Sequence, residues 1–428
     1  MIGSLAFLIY RALMPLLFLI AFPGWVLKML RRSGFGTGLN ERIGIYYGKA
    51  EFEPSGAIHF HAVSVGETML ALKLLKAWAT EKPSARFVLA TGTATGHHLA
   101  TSAAIPGLRV TYAPLDFPWM IRRYFDRFEP ERIVLIEGEV WPNLLRIAEN
   151  RGIRVDLANA RTSPRSARRL LKFAPALRLF FSKLSAVCIQ EEGHRALWLE
   201  LGIAPENIHL TGSLKFDSES APVPALDPAF AEMLAAFGKN RPVVLAASTF
   251  PGEEEMLARA IIAADSAALP VIVPRHAERR AEVARALSNA GFIVTLRSAF
   301  SQPTKNPQVF VIDTTGELAT WTAHADVIII GKSFLSVGGQ NPAEAILAGK
   351  PLILGPRMDN FQPLARHLLE NGGALVADDE VSLALVIRTA LDPACAADLT
   401  DMAKRVLSSH NGAINRHLSV LQQALSSA

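Results

Sequence analysis

The amino-acid sequence predicts an α/β protein: two doubly wound domains of similar size, joined by a linker and preceded by an apolar membrane-anchor helix. Three observations carry that prediction. Short apolar runs alternate with helix-like patterns, the mark of parallel strands covered by helices on both faces. The alternation breaks near the middle of the 428 residues, in a stretch rich in Pro, Ser and acids, and then resumes. Residues 2–27 are apolar and hold a single charged side chain, Arg11.

The elements follow in order. The apolar start is long enough to span a bilayer or to lie along its surface, with a buried helix of a soluble protein as the alternative to an anchor, and Lys28, Arg31 and Arg32 follow it. The positive-inside rule then places everything downstream in the cytoplasm. The first domain reads as strand AIHFHAVS, helix ETMLALKLLKAWATE, strand RFVLATGT, helix ATGHHLATSAA, strand RIVLIEGE, helix PNLLRIAENRG, and strands RVDLANA, AVCIQ and IHLTGSL. The stretch DSESAPVPALDP reads as linker. The second domain supplies strands PVVLAAST, LPVIVPRH, FIVTLRS, QVFVIDTTGEL, ADVIIIGKS and KPLILGP. The expected bounds are 1–30 for the anchor, 31–216 for the first domain, 217–240 for the linker and 241–428 for the second, whose last helix can pack back on the first. Turn residues fall at the carboxyl ends of the strands, where open α/β sheets bind ligands, and the cleft between the domains is the expected active site.

Composition narrows the chemistry. A net charge of +5 is compatible with an acidic ligand or an anionic surface and does not require a nucleic acid. Two distant cysteines, Cys188 and Cys395, form neither a disulfide framework nor a zinc spacing, as in a reducing cytosol. There is no Asp-x-Asp, no Walker A motif and no full GxGxxG.

The candidate site residues lie at strand ends. In Ser64-Val65-Gly66-Glu67 the spacing is that of a capping box, and the helix start also favours a carboxylate that can take a proton from an attacking hydroxyl. In IEGEVWPN, Glu137 and Glu139 share one side of a strand end. Asn159 and Arg161 end another strand, and Arg161 to Lys183 holds seven Lys or Arg and no acid: a solvated helix face or a contact for anionic lipid headgroups. Lys215 in TGSLKFD suits an anion as a point charge, and Arg275 in VPRH suits bidentate anion binding. In GGQNPAEA, Gly338-Gly339 permit close backbone approach, Asn341-Pro342 open a helix, and Glu344 can accept from ribose hydroxyls. Thr314 to Leu318 repeats the same strand, Gly, helix-start logic.

With these blocks in view the chain resembles the Kdo (3-deoxy-D-manno-octulosonic acid) transferases of lipopolysaccharide biosynthesis. The resemblance rests on an apolar start followed by ERIGIY, HAVSVGET, EGEVWPN, ANARTSPRS, TGSLKFD, VPRH, TGEL and GGQNPAEA in the family's order. It implies a GT-B fold, with two Rossmann-like domains facing the interdomain cleft. It also implies metal-independent, inverting transfer of Kdo from CMP-Kdo to the lipid A precursor, of the lipid IVA type, on the cytoplasmic side of the inner membrane. The first domain would take the acceptor and the second the CMP-sugar, with no cofactor and no nucleic-acid partner. By the same resemblance Glu67 is the general base, Glu137 assists the transition state, and Lys215 matches the lysine of the Gly-Ser-Leu-Lys block. The CMP-binding blocks match Pro274 and Arg275; Thr315, Gly316 and Glu317; and Asn341, Pro342, Ala343 and Glu344. Three positions depart from the family's pattern: Phe250 stands for a histidine, Lys332 for a glycine and Gln340 for a histidine. The rival readings are another GT-B transferase or an epimerase using a uridine nucleotide, and a non-catalytic membrane-associated module.

Overall fold

The computed structural model describes residues 7, 10–15, 18–20, 23–24, 38–46, 56–138, 140–162, 164–217, 223–300 and 308–423. The chain divides into two compact units, one formed by residues 1–217 with 412–428 and the other by 218–411.

The first unit is a seven-stranded sheet of β1 (Ile58–Ala62), β2 (Phe87–Thr91), β3 (Leu108–Tyr112), β4 (Arg132–Ile136), β5 (Arg154–Ala160), β6 (Ala186–Ile189) and β7 (Ile208–Leu210). Its order is β3-β2-β1-β4-β5-β6-β7, and every pairing is parallel. The central strands are buried along their whole length, which is why β2 and β4 read as apolar runs without alternation, while β1 alternates its apolar residues with buried His59 and His61. Chain order reverses between β1 and β4, so the ligand-binding crevice of this sheet lies at the carboxyl ends of those two strands. Gly92, just past β2, is needed there: a Cβ would sit 2.2 Å from the Val63 carbonyl oxygen.

The carboxyl-terminal helix Ala413–Gln423 belongs to this unit. The Asp217 carboxylate accepts from the Gly412 and Ile414 amides at its start, and Leu418 and Leu421 join Phe60, Trp78 and Leu214 in the core.

The second unit repeats the plan with β8 (Val243–Thr249), β9 (Leu269–Pro274), β10 (Val294–Leu296), β11 (Val309–Val311), β12 (Val327–Ile330), β13 (Leu352–Leu354) and β14 (Leu375–Val376). The order is β10-β11-β9-β8-β12-β13-β14, again all parallel, with the reversal between β8 and β12. The stretch read as linker contains the helix Pro228–Ala235, whose Phe230 packs on Trp321 at 4.3 Å between ring centroids.

The membrane-anchor helix is the part of the expected fold that the structure overturns. Among the described residues no helix is long and apolar enough to cross a membrane. Phe7 and Tyr10 of this stretch instead contact the first unit, while Leu13, Leu19 and Ile20 are exposed. Phe7 is buried against Phe180 with the Arg146 guanidinium 4.1 Å over its ring, and the Tyr10 hydroxyl donates to Asp116 at 2.8 Å. An apolar run with one arginine has the composition of an anchor, but these side chains find protein partners more than a hundred residues away. The rest of 1–30 lies outside the described residues.

Three histidines of the first unit are buried and neutral. Burial pushes His59 down to about 3, His61 to about 4 and His417 to about 4. Their folded values lie below the unfolded one, so the unfolded chain gains protons first as pH falls below about 6.5 and stability drops. Between pH 7 and 5 each histidine costs roughly 2 kcal/mol. Asp116, which burial raises to about 6, works the other way and returns roughly 1 kcal/mol. Chemical denaturation at the two pH values is expected to show a net loss of about 4 to 5 kcal/mol, and His61→Leu to flatten that dependence.

Candidate active site

β1 ends at Ala62, and the helix Val65–Glu81 starts two residues after Val63. Ser64 is extended (φ −110°) and its Oγ accepts the Glu67 amide at 3.2 Å. The Glu67 carboxylate reaches back: Oε2 accepts the Val63 amide and Oε1 the Ser64 hydroxyl, both at 2.8 Å. The cap suggested by the spacing is therefore made. Each oxygen keeps a second lone pair, and the same side chain lines a cavity of about 630 Å³ with Glu137, Gly138 and Arg161. Capping fixes the orientation of the carboxylate that the cavity receives.

Glu137 follows β4 in the left-handed region at φ 64°, where its amide donates to Ala158 O and its carbonyl accepts the Arg161 amide. The helix that follows, Pro142–Asn150, is held at its start by buried Asp116, whose carboxylate accepts the Asn143 and Leu144 amides at 2.9 Å each. Burial lifts the Glu137 carboxyl above its usual range; Arg161 draws it down, Glu67 pushes it up and Lys215 draws it down. Glu139 lies outside the described residues.

Lys215 is half-buried beyond β7. Desolvation, then the Arg161 charge, lower its ammonium to about 8, with Glu137 opposing. Four residues from four strand ends, Glu67, Glu137, Arg161 and Lys215, thus share one electrostatic neighbourhood in the first unit. The wall missed in the sequence is apolar: Leu170, Phe173 and Leu177 also line the cavity. Their spacing of three and four residues was a legible signal, hidden within a stretch read for its basic residues.

In the second unit Pro274 ends β9 and Arg275 follows it, exposed, its amide donating to Thr249 O. Burial raises the Glu344 carboxyl and the Arg275 charge lowers it, which places these two in one field. Asn341 Oδ1 accepts the Ala343 amide at 3.2 Å, and Pro342 and Ala343 are buried beneath it. Thr315 and Glu317 line a separate cavity of about 810 Å³ with Asp313, Glu278 and Arg280, and Gly316 lies exposed between them. Glu317 is heavily engaged: it accepts from Thr314 Oγ1, Trp321 Nε1 and Arg297. Its carboxylate shapes the loop that carries Thr315.

Two of the departures from the family pattern touch each other. Lys332, at φ 57°, places its ammonium 4.7 Å over the Phe250 ring. Buried Glu253 holds both loops by accepting the Phe250, Lys332 and Phe334 amides. Among the described residues no group of three or more His, Cys, Asp or Glu side chains could hold a metal ion.

Two all-parallel sheets, each with its candidate residues at the carboxyl edge around the chain reversal, are consistent with the GT-B fold. A glycosyltransferase from Rickettsia africae has this fold: the two match with a TM-score of 0.58 over 88% of this chain and 100% of that one, at 12% identity. Residues 37–218 match the family model for 3-deoxy-D-manno-octulosonic-acid transferase (kdotransferase). The 3-deoxy-D-manno-octulosonic acid transferase of Bordetella pertussis is 35% identical over 428 residues, covering 97% of each chain. That of Haemophilus influenzae is 31% identical over 392 residues, covering 90% of this chain and 91% of its own. The chain belongs to the Kdo transferase family.

Proposed function

We propose that this chain transfers Kdo from CMP-Kdo to a lipid A precursor in one inverting displacement. The observation that carries the reading is the meeting of Glu67 and Glu137 in one cavity at the reversal point of the first sheet, beside an apolar wall suited to a lipid acceptor. Glu67 takes the proton of an acceptor hydroxyl as its oxygen attacks the anomeric carbon of Kdo. The bond from that carbon to the phosphate oxygen breaks, and CMP leaves with the electron pair. Glu137 faces the reacting sugar and supports the positive charge that develops on it. Lys215 answers the negative charge of the departing monophosphate.

We assign CMP to the second unit, through Pro274, Arg275, Thr315, Gly316, Glu317, Asn341, Pro342, Ala343 and Glu344. Arg275 suits the phosphate and Glu344 the ribose hydroxyls. Because the acceptor is a lipid, we place the reaction at the cytoplasmic face of the inner membrane. The basic helix Pro164–Lys172 and the helix Ala174–Phe181 after it support that placement: Leu171, Phe173 and Leu179 stand exposed near Arg168, Arg169 and Arg178 in sequence.

The test is product mass analysis with CMP-Kdo and a tetra-acylated acceptor, run with chelator. A mass gain of one or more Kdo units is expected, together with a rise in melting temperature from CMP and none from UDP. Protection by UDP alone, with no transfer, would assign the fold to a uridine nucleotide and remove this reading.

A further inference from the structure

We propose that Asn159, held in place by His417 of the carboxyl-terminal helix, is a positioning residue that orients Glu137 and the backbone leading to Lys215. The inference rests on the transferase reading above.

The pairing of β5 with β6 is regular to Leu157 and resumes at Ala160, with a register shift between them. Asn159 sits in that irregularity at φ 55°, a conformation asparagine tolerates better than most residues. A bulge of this kind turns one side chain out of the sheet's alternation and leaves its backbone groups without ladder partners. Here side chains replace the ladder. The Asn159 amide donates to His417 Nε2 at 3.0 Å, and the Asn159 carbonyl accepts from Gln190 Nε2 at 3.0 Å. The His417 Nδ1–H donates to Ala413 O at 2.7 Å, which leaves Nε2 as the acceptor that a backbone N–H requires. Burial keeps this ring neutral, so the acceptor persists across the working range of pH.

The freed side chain then faces the site with both of its groups. Oδ1 accepts the Leu214 amide at 3.0 Å, one residue before Lys215. That bond sets the amide's orientation and turns Nδ2 toward Glu137 Oε1, 3.5 Å away. The separation is long for a hydrogen bond and leaves room to tighten when substrate is bound. Asparagine suits the task because it both accepts and donates within one short side chain; aspartate keeps the acceptor and loses the donor. Neighbouring Glu137 and Asn159 both occupy strained backbone, as residues held for a functional geometry do.

The experiment measures kcat and KM for CMP-Kdo against pH in full-length Asn159→Asp. The ionisable groups acting on Glu137 are Arg161, Glu67 and Lys215. All three remain in the variant, which adds one carboxylate beside them. An added like charge and a lost donor both disfavour ionised Glu137, so the acid limb of the kcat profile moves up by about one pH unit. KM is expected to stay within about twofold, because the donor is assigned to the other unit. An unchanged profile at wild-type kcat overturns the role. If that variant does not fold, His417→Gln, which keeps an acceptor, is compared with His417→Leu. The leucine variant is expected to lose about 10- to 100-fold in kcat at constant KM and the glutamine variant to recover most of it. Equal activity in the two overturns the inference. Glu137→Gln separates this inference from the reading beneath it: full turnover in that variant defeats the reading, whereas its inactivity beside an unaffected Asn159→Asp defeats only the role of Asn159.

Discussion

Glu67→Gln is expected to lower kcat by about 10²- to 10⁴-fold while CMP still raises the melting temperature. Glutamine is isosteric, so the cap is altered little: one oxygen can still accept, and the Ser64 hydroxyl can turn to accept from the new amide. The stability cost is therefore about 1 kcal/mol or less. A carboxylate that only closes the cap would show that small cost with normal turnover, and a general base would show the reverse. Turnover near wild type together with lowered stability would leave Glu67 as a cap and require another base.

The second large effect concerns Lys215. Its ammonium, lowered to about 8 by desolvation and Arg161, loses its proton as pH rises through that value. If the charge answers a leaving phosphate, kcat/KM falls by about tenfold for each pH unit above 8, since this ratio reports the free enzyme. Lys215→Ala removes that limb and lowers kcat by about 10²- to 10³-fold at neutral pH, as loss of a single transition-state donor does. An alanine variant that keeps the alkaline limb would assign the limb to another group and take Lys215 out of the chemistry.

The strands buried on both faces were legible in the sequence, because runs such as RIVLI and VIII have no other use in a chain that alternates this way. β3 and β14 were not. β3 is an edge strand with exposed Arg109 and a mixed pattern, and β14 has two residues. The candidate residues stood out because strand ends and helix starts are written locally. Their supports did not, because those depend on distance in the chain: His417 reaches Asn159 across 258 residues and Tyr10 reaches Asp116 across 106. The apolar start misled for the same reason. Composition is shared by an anchor and by a segment packed on protein, and only the partners Asp116, Arg146 and Phe180 distinguish them. For Glu67 the sequence offered a cap or a base, and the geometry makes the cap while leaving the base to experiment.

The return of residues 412–423 to the first unit has a consequence for biosynthesis. Residues 218–411 form one uninterrupted segment and can fold as soon as it clears the ribosome. The earlier-made unit stays incomplete, its core short of Leu418 and Leu421 and Asn159 lacking its imidazole, until residues 412–423 are translated. A nascent chain stalled before residue 412 would hold a complete second unit and a first unit that lacks its closing helix.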